Sequence, residues 1–320
     1  MNEVLETTRH VTERSQHVTI NEQTIADFSR KLIEDGIEIP PWNYDYHFFD
    51  GSHKTVAYLL ILDSINFCFW PKPGADKWKV QYKSETLSGY YALAACLRKA
   101  LEEGIPITRA DYLAHISLDT LKKILGGNGE LQLMEARAHI LNELGAFLIT
   151  KYNGEANRLV EPAENSALNL VELLVENLPS FRDGAEYYGT KIYFYKRAQI
   201  FAADLYGAFA GKAWGNFKDI DKLTAFADYK LPQVLRHVGI LQYSPFMEHK
   251  VDNGIFLEAG SPEEIEIRAN TIWAVELMRQ ELTKMGKELR AFEIDWILWN
   301  LGQEREFKEK PYHKTVTIYY

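Results

Sequence analysis

Apolar residues recur at intervals of three and four along most of the chain, the spacing that lines one face of an α-helix. Alternation of apolar and polar positions, which is typical of a half-buried strand, is confined to short segments. The segments with helical spacing are 24–33, 87–102, 118–125, 131–152, 163–178, 193–210 and 262–285. The pattern therefore predicts a mainly α fold with a small antiparallel β element.

Two of these helices have recognisable ends. Ser261 precedes Pro262 and two glutamates, which supply an N-cap, a first-turn proline and negative charge at the positive end of the helix dipole. Gly104 with Pro106 closely following is typical of a left-handed turn that closes the 87–102 helix. The predicted β element is a hairpin of residues 67–70 and 78–82, joined by a Pro-Lys-Pro-Gly turn, and residues 315–320 alternate weakly.

The chain shows no sign of division into parts. No Ser/Gly-rich linker, low-complexity run or internal repeat interrupts it, so we expect one compact domain over residues 1–320. The longest apolar stretch, 56–70, contains Asp63 and Asn66 and falls short of the roughly 20 residues that cross a bilayer. The amino terminus lacks an apolar core behind a basic start, so we expect no secretory signal.

The net charge and the cysteine content limit the kinds of partner and the compartment that we expect for this protein. The chain has 36 Lys and Arg against 45 Asp and Glu, a formal net charge of −9, whereas nucleic-acid binding needs cations that neutralise phosphates. The two cysteines, Cys68 and Cys96, lie in apolar surroundings, which favours free thiols in a reducing compartment. We therefore expect a cytoplasmic protein that binds neither a membrane nor a nucleic-acid polymer, and we expect a monomer.

Carboxylates that interrupt apolar runs are the first candidate site residues. Asp63 either caps backbone amides at the turn into the hairpin or lines a pocket. Asp204 is either part of a structural salt bridge or cap, or a pocket residue. Lys196 and Arg197 lie two helical turns from Asp204, so its direct partner must come from elsewhere in the fold.

Asp228 lies at a predicted turn between two short helices. Residues 219–226 and 232–239 are typical of an αα-hairpin whose second helix begins at Pro232 and ends at Gly239. Near a helix N-terminus, the carboxylate is either a simple N-cap or an anion that faces a cleft.

Two further groups combine aromatic and polar residues. Residues 294–300 predict a hydrophobic helix on which Asp295 and Asn300 are about 140° apart, so they reach a shared ligand only from the edges of one broad face. The alternative is a pair of core tryptophans, Trp296 and Trp299, with incidental polar neighbours. His47 lies among aromatic and acidic residues, where a structural histidine is the alternative to a site residue.

The sequence lacks the motifs of several enzyme classes. It contains no Walker-type phosphate loop, no GxGxxG, no HExxH, no GxSxG and no CxxC. We therefore expect no metal and no cofactor. Aromatic residues make up 13% of the chain, and their rings stack on flat heterocycles as well as filling cores. The combination predicts an aromatic pocket lined by carboxylates.

Several blocks of residues follow one another in a characteristic order over about residues 40 to 300. The blocks are Asp63-Ser-Ile-Asn-Phe-Cys-Phe-Trp-Pro71, Ser88-Gly-Tyr-Tyr-Ala-Leu93 with 98–106, Tyr195-Lys-Arg-Ala-Gln199 with 203–204, Thr224-Ala-Phe-Ala-Asp-Tyr-Lys-Leu-Pro-Gln233, and Glu264-Ile-Glu-Ile-Arg-Ala269. In these blocks and their order, the sequence resembles the queuosine 5′-phosphate N-glycosylase/hydrolase family of queuosine salvage proteins. The resemblance implies a fold similar to the helix-hairpin-helix DNA glycosylases. It also implies cleavage of the N-glycosidic bond of queuosine 5′-monophosphate, releasing queuine for salvage into tRNA.

The resemblance also implies roles for particular residues. In the family, the carboxylate of a Phe-Ala-Asp motif is the catalytic group, and this motif places it at Asp228. Phe226 of the same motif would contact the nucleobase. A binding histidine of the family matches His47, or alternatively the nearby His53. A C-terminal Asp-aromatic-x-x-x-Asp pattern matches Asp295 and Trp296 but ends in Asn300, an amide that donates as well as accepts.

The residues suit this chemistry. Cleavage develops positive charge on the ribose, which the carboxylate of Asp228 would stabilise or attack. Queuine is flat, polar and cationic, so Phe226 and Trp296 would stack on it and Asp295 would meet its donors. Candidate cations for the 5′-phosphate are Lys196, Arg197 and Lys230. Two alternatives stay open: a non-catalytic queuine- or nucleoside-binding protein, and a base-excision enzyme on DNA or RNA, which the −9 charge disfavours.

Overall fold

Helices dominate the architecture in the computed structural model, which describes residues 3–320. All seven predicted helical segments are present, so the mainly α class is confirmed. The helices are α1 (Glu3–Thr12), α2 (Glu22–Glu34), α3 (His53–Ser64), α4 (Gly89–Glu102), α5 (Ala110–Ala114), α6 (Leu118–Leu125), α7 (Met134–Tyr152), α8 (Asn157–Val160), α9 (Ala167–Asn177), α10 (Lys196–Ala208), α11 (Lys230–His237), α12 (Pro245–Asp252), α13 (Pro262–Lys284) and α14 (Ala291–Leu301).

The two helix ends predicted from capping residues, at Ser261 and at Gly104, are confirmed. Ser261 caps α13, its Oγ accepting the Glu264 N–H at 3.4 Å. Gly104 follows α4 with φ of +80°, a left-handed conformation that glycine adopts without steric cost. Within residues 3–320, no helix is long and apolar enough to cross a membrane.

The named strands within residues 3–320 form three antiparallel pairs. Strand β1 (Val18–Ile20) pairs with β6 (Leu241–Tyr243), β2 (Lys79–Tyr82) with β3 (Glu85–Ser88), and β4 (Gly184–Tyr187) with β5 (Thr190–Tyr193). The β1–β6 pair joins segments that are far apart in sequence. The predicted small antiparallel element is therefore confirmed as a class, although its location differs from the prediction.

The predicted hairpin of residues 67–70 and 78–82 is wrong, because β2 pairs with the segment that follows it, in the register Val80 to Leu87. Residues 66–69 are irregular since other groups satisfy their backbone. The buried guanidinium of Arg137 donates to the carbonyls of Phe67 and Cys68, and the Cys68 N–H donates to the Tyr320 carbonyl at 2.8 Å. The strand suggested for residues 315–320 is also absent from the paired segments, although its alternating burial is real.

The first arm of the predicted αα-hairpin is wrong as well. Residues 220–222 form one turn of 3₁₀ helix and residues 223–228 are irregular. Buried side chains take their backbone donors: the Gln199 Oε1 accepts the Thr224 N–H at 2.9 Å, and the Asp295 Oδ2 accepts the Phe226 N–H at 2.7 Å. The second arm is α11, which begins at Lys230 rather than at Pro232.

The core is built around α3, whose residues 55–64 are all buried. Helices α4, α7 and α10 pack against α3, while α2, α11, α13 and α14 share a second apolar cluster. Since α10 belongs to the first group and α14 to the second, side chains at the junction of the groups meet across a gap. The candidate site lies in that gap.

Candidate active site

A cavity of about 600 Å³ lies between the segment before α3, helix α10, the irregular residues before α11, and helix α14. This volume falls in the range of small-molecule sites. Aromatic residues are the largest class in its lining, with carboxylates and one lysine among the polar groups. The lining residues are 40–45, His47, Asn66, Phe69, Tyr90, Tyr91, Lys196, Ile200, Asp204, Phe226, Asp228, Tyr229, Asp295, Trp296, Trp299, Asn300 and Tyr320.

Asp228 both caps α11 and faces the cavity, so the two interpretations left open by the sequence hold together. Its Oδ1 accepts the backbone N–H groups of Lys230 at 2.8 Å and Leu231 at 2.9 Å. Burial raises the pKa of Asp228, while Lys196 and the two amides act in the opposite direction. The second oxygen is left for a ligand in the cavity.

Lys196 is the first residue of α10 and is 4% exposed. Its Nζ lies 3.4 Å from the Asn66 carbonyl oxygen. Burial lowers the pKa of Lys196, and Asp228 is the largest influence that raises it. The cavity therefore contains a cation whose charge favours the ionised form of the candidate catalytic carboxylate.

The other two candidate cations lie outside the lining. Arg197 is fully buried behind the wall, where it donates to the carbonyls of Ser64 and Ser180. The Lys230 Nζ donates to the Gln233 Oε1 at 2.9 Å. Of the three cations suggested by the sequence, Lys196 alone lines the cavity.

Helix α14 supplies one wall. Asp295 is buried, and its Oδ2 accepts the Phe226 N–H, so it fixes the backbone of Phe226, a residue that lines the cavity. Burial, followed by the charge of Asp228, raises the pKa of Asp295 well above its ordinary value. Trp296 and Asn300 also line the cavity, and the Asn300 Nδ2 donates to the Trp296 carbonyl at 2.8 Å, which leaves the amide oxygen for a ligand.

His47 lies in the cavity wall, between two oxygen atoms. Its Nδ1 is 2.6 Å from the Asn43 carbonyl oxygen and its Nε2 is 2.8 Å from the Tyr90 hydroxyl. Burial lowers the pKa of His47 to about 4. His53 is exposed at the start of α3 and borders a different cleft. The structure thus brings His47, Phe226, Asp228, Asp295, Trp296 and Asn300 together in one cavity.

Other lining residues were left open or missed by the sequence reasoning. Asp204 lines the cavity, and its Oδ2 lies 3.2 Å from the Tyr90 hydroxyl. Burial raises the pKa of Asp204 to about 7. Tyr90 and Tyr91 carried a signal, since they are adjacent in one of the family-like blocks, whereas Trp42 is recognisable as a wall residue only in three dimensions.

Asp63 is neither a cap nor a lining residue. It is completely buried, and neither carboxylate oxygen has a hydrogen-bond partner among residues 3–320. Burial and the neighbouring Asp204 raise its pKa well above the ordinary value.

Among the residues described, no cluster of three or more His, Cys, Asp or Glu side chains is arranged to hold a metal ion.

The fold and the cavity define a helical protein with a cavity of small-molecule size, lined by aromatic rings, carboxylates and a single lysine. Comparison with known proteins specifies the family. Residues 46–320 match the family model described as queuosine salvage protein, and the chain belongs to that family.

Similar proteins span almost the full length of the chain. A queuosine 5′-phosphate N-glycosylase/hydrolase from Sphaerobacter thermophilus is 45% identical over 317 residues, covering 99% of this chain and 97% of that protein. Proteins of the same name from Mus musculus and Schizosaccharomyces pombe are 36% and 32% identical, and cover 98% and 96% of this chain and 98% and 93% of their own lengths.

Proposed function

We propose that this chain hydrolyses the N-glycosidic bond of queuosine 5′-monophosphate and releases queuine for salvage into tRNA. The observation that carries the proposal is the Asp228 carboxylate, held by two backbone amides at an aromatic cavity with Lys196 as its cationic neighbour. The names of relatives similar over nearly their full length support the same reaction.

The reaction requires stabilisation of positive charge on the ribose as the bond to the base breaks. A carboxylate fixed before the substrate binds provides this stabilisation without reorganisation in the transition state. Asp228 meets this condition, because two backbone amides anchor its Oδ1 and the residue lines the cavity. We assign Asp228 as the catalytic residue, acting as nucleophile or electrostatic stabiliser.

The binding roles follow from the chemistry of the walls. Phe226 and Trp296 provide rings on which a planar base stacks, and Asp295 and the Asn300 amide oxygen provide acceptors for its donors. His47 completes the polar wall opposite α14. Lys196 is the cation suited to the 5′-phosphate, since Arg197 and Lys230 lie outside the lining.

The substrate is a free nucleotide rather than a nucleic-acid polymer, as the net charge of −9 favours. We also propose that the enzyme acts as a monomer, since the residues of one chain suffice to form a cavity of about 600 Å³. A cytoplasmic location suits the two free, buried cysteines, Cys68 and Cys96.

The test is incubation of the protein with queuosine 5′-monophosphate, followed by mass spectrometry of released queuine. We expect release by the wild type and a loss of roughly 10²- to 10³-fold in kcat for Asp228→Asn, the range for removal of one electrostatic stabiliser. Calorimetric binding of queuine without cleavage of the nucleotide would instead indicate the non-catalytic binding protein.

A matched control separates catalysis from helix capping. Asp219 also caps a helix, accepting the Ala167 N–H at 2.6 Å, but does not line the cavity. Asp219→Asn should therefore keep kcat. Equal loss in both variants would mean that the effect of Asp228→Asn is structural and would remove the support for Asp228 as the catalytic residue.

A further inference from the structure

Three side chains in the cavity wall form a hydrogen-bonded series: His47, Tyr90 and Asp204. The series starts at the Asn43 carbonyl oxygen, 2.6 Å from the His47 Nδ1. A carbonyl only accepts, so the His47 Nδ1 carries a proton. Burial lowers the pKa of His47 to about 4, so the ring is neutral at physiological pH and its Nε2 is an acceptor.

The Tyr90 hydroxyl joins His47 to Asp204. Its oxygen lies 2.8 Å from the His47 Nε2 and 3.2 Å from the Asp204 Oδ2. A phenol has one proton, which Tyr90 donates to the Asp204 Oδ2 when Asp204 is ionised. When Asp204 is protonated, Asp204 can donate to the Tyr90 oxygen instead, and Tyr90 can donate to the neutral His47. The geometry therefore couples the direction of both hydrogen bonds to the protonation state of Asp204.

The surroundings of Asp204 favour its neutral form. Asp204 is 4% exposed, and burial raises its pKa to about 7. Asp63, the other acid behind the wall, has no hydrogen-bond partner among the described residues, and its pKa is also raised. As an acid, it provides no positive charge that would stabilise an ionised Asp204. Tyr58 and Asp295 are the remaining buried acids nearby, and Lys196 is the cation that opposes the effect of burial.

The contact between Asp204 and Tyr90 is also easy to exchange. At 3.2 Å it is longer than the 2.7–2.8 Å usual for O–H···O bonds, and Asp204 lines the same cavity as Asp228. A ring nitrogen of a bound base can therefore replace Tyr90 as the acceptor of the Asp204 proton. Once Asp204 is ionised, the Tyr90 proton can turn from His47 to the new carboxylate.

We propose that Asp204 is the proton donor of the reaction, and that Tyr90 and His47 are positioning residues: they hold Asp204 in place, and Tyr90 donates to the carboxylate that remains once the proton has left. This inference rests on the proposed function. The C1′–N bond breaks with its electron pair going to the base, and the Asp204 proton neutralises the base. A water oxygen bonds to C1′, either directly or in place of an Asp228 ester, and the proton that the water loses passes to solvent, from which Asp204 is reprotonated.

The first test compares two leaving groups. Asp204→Asn should lower kcat for queuosine 5′-monophosphate by roughly 10²- to 10⁴-fold, the usual contribution of a general acid. Nitrophenyl riboside 5′-phosphate has a leaving group that needs no proton, so its hydrolysis should fall less than about tenfold. Asp228→Asn should lower both reactions. Equal, large losses with both substrates in Asp204→Asn would overturn the proposal.

The second test uses the pH dependence of kcat/KM with queuosine 5′-monophosphate, and decides the matter if the nitrophenyl compound is not a substrate. Wild-type kcat/KM should fall above about pH 7, where Asp204 loses its proton, and this alkaline limb should vanish in Asp204→Asn. Tyr90→Phe removes a donor that lowers the Asp204 pKa, so its alkaline limb should move to higher pH. An unchanged limb in both variants would contradict the assignment.

Two controls keep the outcomes distinct. Asparagine has the shape of a neutral aspartic acid, so Asp204→Asn should fold, as its melting temperature will show. Asp219→Asn, outside the cavity, should keep the wild-type profile. If the wild type releases no queuine, the proposed function fails; if it does and Asp204→Asn retains full kcat, only the proton-donor role fails.

Discussion

Asp228 divides two tasks between the oxygens of one carboxylate. The Lys230 and Leu231 amides hold Oδ1, and since a carboxylate is planar, anchoring one oxygen restricts the direction of the other. The cost of burying the anion is offset by these amides and by Lys196. The helix cap is therefore part of the preparation of the site for catalysis.

We expect the ammonium group of Lys196 to bind the 5′-phosphate of the substrate. Lys196→Gln should raise KM for queuosine 5′-monophosphate by about 10-fold or more, the scale of one charge-assisted hydrogen bond, while hardly changing KM for the unphosphorylated nucleoside. Steady-state kinetics with the two substrates measures the difference. Lys230→Gln is the comparison, because its Nζ is engaged with Gln233 outside the lining. Equal effects on both substrates would exclude phosphate recognition by Lys196.

Carboxylates within apolar stretches of the sequence identify several of the cavity residues. Asp204, Asp228 and Asp295 each interrupt an apolar run, and all three line the cavity. The same signal failed for Asp63, which interrupts an apolar helix equally but lies behind the wall. Local sequence shows that a carboxylate is buried, whereas neighbouring elements decide whether it reaches a cavity.

At the scale of elements, a buried arginine replaces a strand partner. Arg137 on α7 donates to the carbonyls of Ile65, Phe67 and Cys68, and so holds an irregular segment beside the cavity residues Asn66 and Phe69. A guanidinium presents several donors in one plane and can satisfy backbone that has no ladder. Pattern reasoning favoured a hairpin because it cannot detect this partner, which is about 70 residues away in sequence.

Arg137→Met should therefore destabilise the fold. Two buried carbonyls or more lose their donor, and with roughly 1–3 kcal/mol for each unpaired group we expect a loss of about 2–6 kcal/mol. Urea unfolding followed by circular dichroism measures this loss. Arg109→Met removes an exposed ion pair with Asp111 and should have no measurable effect. A stability of Arg137→Met equal to that of the wild type would show that these carbonyls find other donors.

The contact of α10 with the aromatic wall gives a second prediction at this scale. A Cβ on Gly207 would lie 2.7 Å from the Trp42 Cε3 and 3.2 Å from the Trp296 Cη2. Gly to Ala in a helix normally stabilises by about 1 kcal/mol, but here overpacking should destabilise by about 1–3 kcal/mol and weaken queuine binding. Thermal unfolding and calorimetry give the two values.

The sign of the Gly207→Ala effect decides between packing and helix propensity. Adding Trp42→Leu makes room for the methyl group, so the double variant should recover stability relative to the sum of the single changes. Stabilisation by Gly207→Ala alone would mean that the wall yields freely.

For the whole molecule, the carboxyl-terminal segment closes the site. Tyr320 lines the cavity, its carbonyl accepts the Cys68 N–H, and its hydroxyl lies 3.1 Å from the Nε2 of the buried His313. Burial and Arg268 lower the pKa of His313 to about 3. The unfolded chain therefore binds a proton near pH 6.5 that the folded protein does not accept until the pH is far lower.

Stability should consequently fall as the pH drops below about 6.5, and His313 should account for part of the loss. Between pH 7.5 and 4.5, the wild type should lose roughly 2–3 kcal/mol more than His313→Gln, by the linkage of the two pKa values. Urea unfolding at the two pH values tests this difference. The exposed His115→Gln serves as the control and should follow the wild type. A parallel loss in His313→Gln would show that His313 is not the group responsible.

Hydrophobic periodicity determined the class of this protein, because seven of the helices follow from local spacing alone. The order of its short motifs was specific enough to indicate the family, to which nearly full-length relatives confirm that it belongs. The single-domain organisation and the likeness to helix-hairpin-helix glycosylases stay predictions.

Tertiary structure alone decided which polar groups meet. The hairpin and the αα-hairpin were wrong because Arg137, Gln199 and Asp295 take backbone partners that local propensity would have assigned to strands and helices. The pairing of Asp204 with Tyr90 and His47, and the choice of Lys196 over Arg197, depend on contacts between α3, α4, α10 and α14. Such long-range hydrogen bonds are fixed by packing, and local sequence patterns do not contain them.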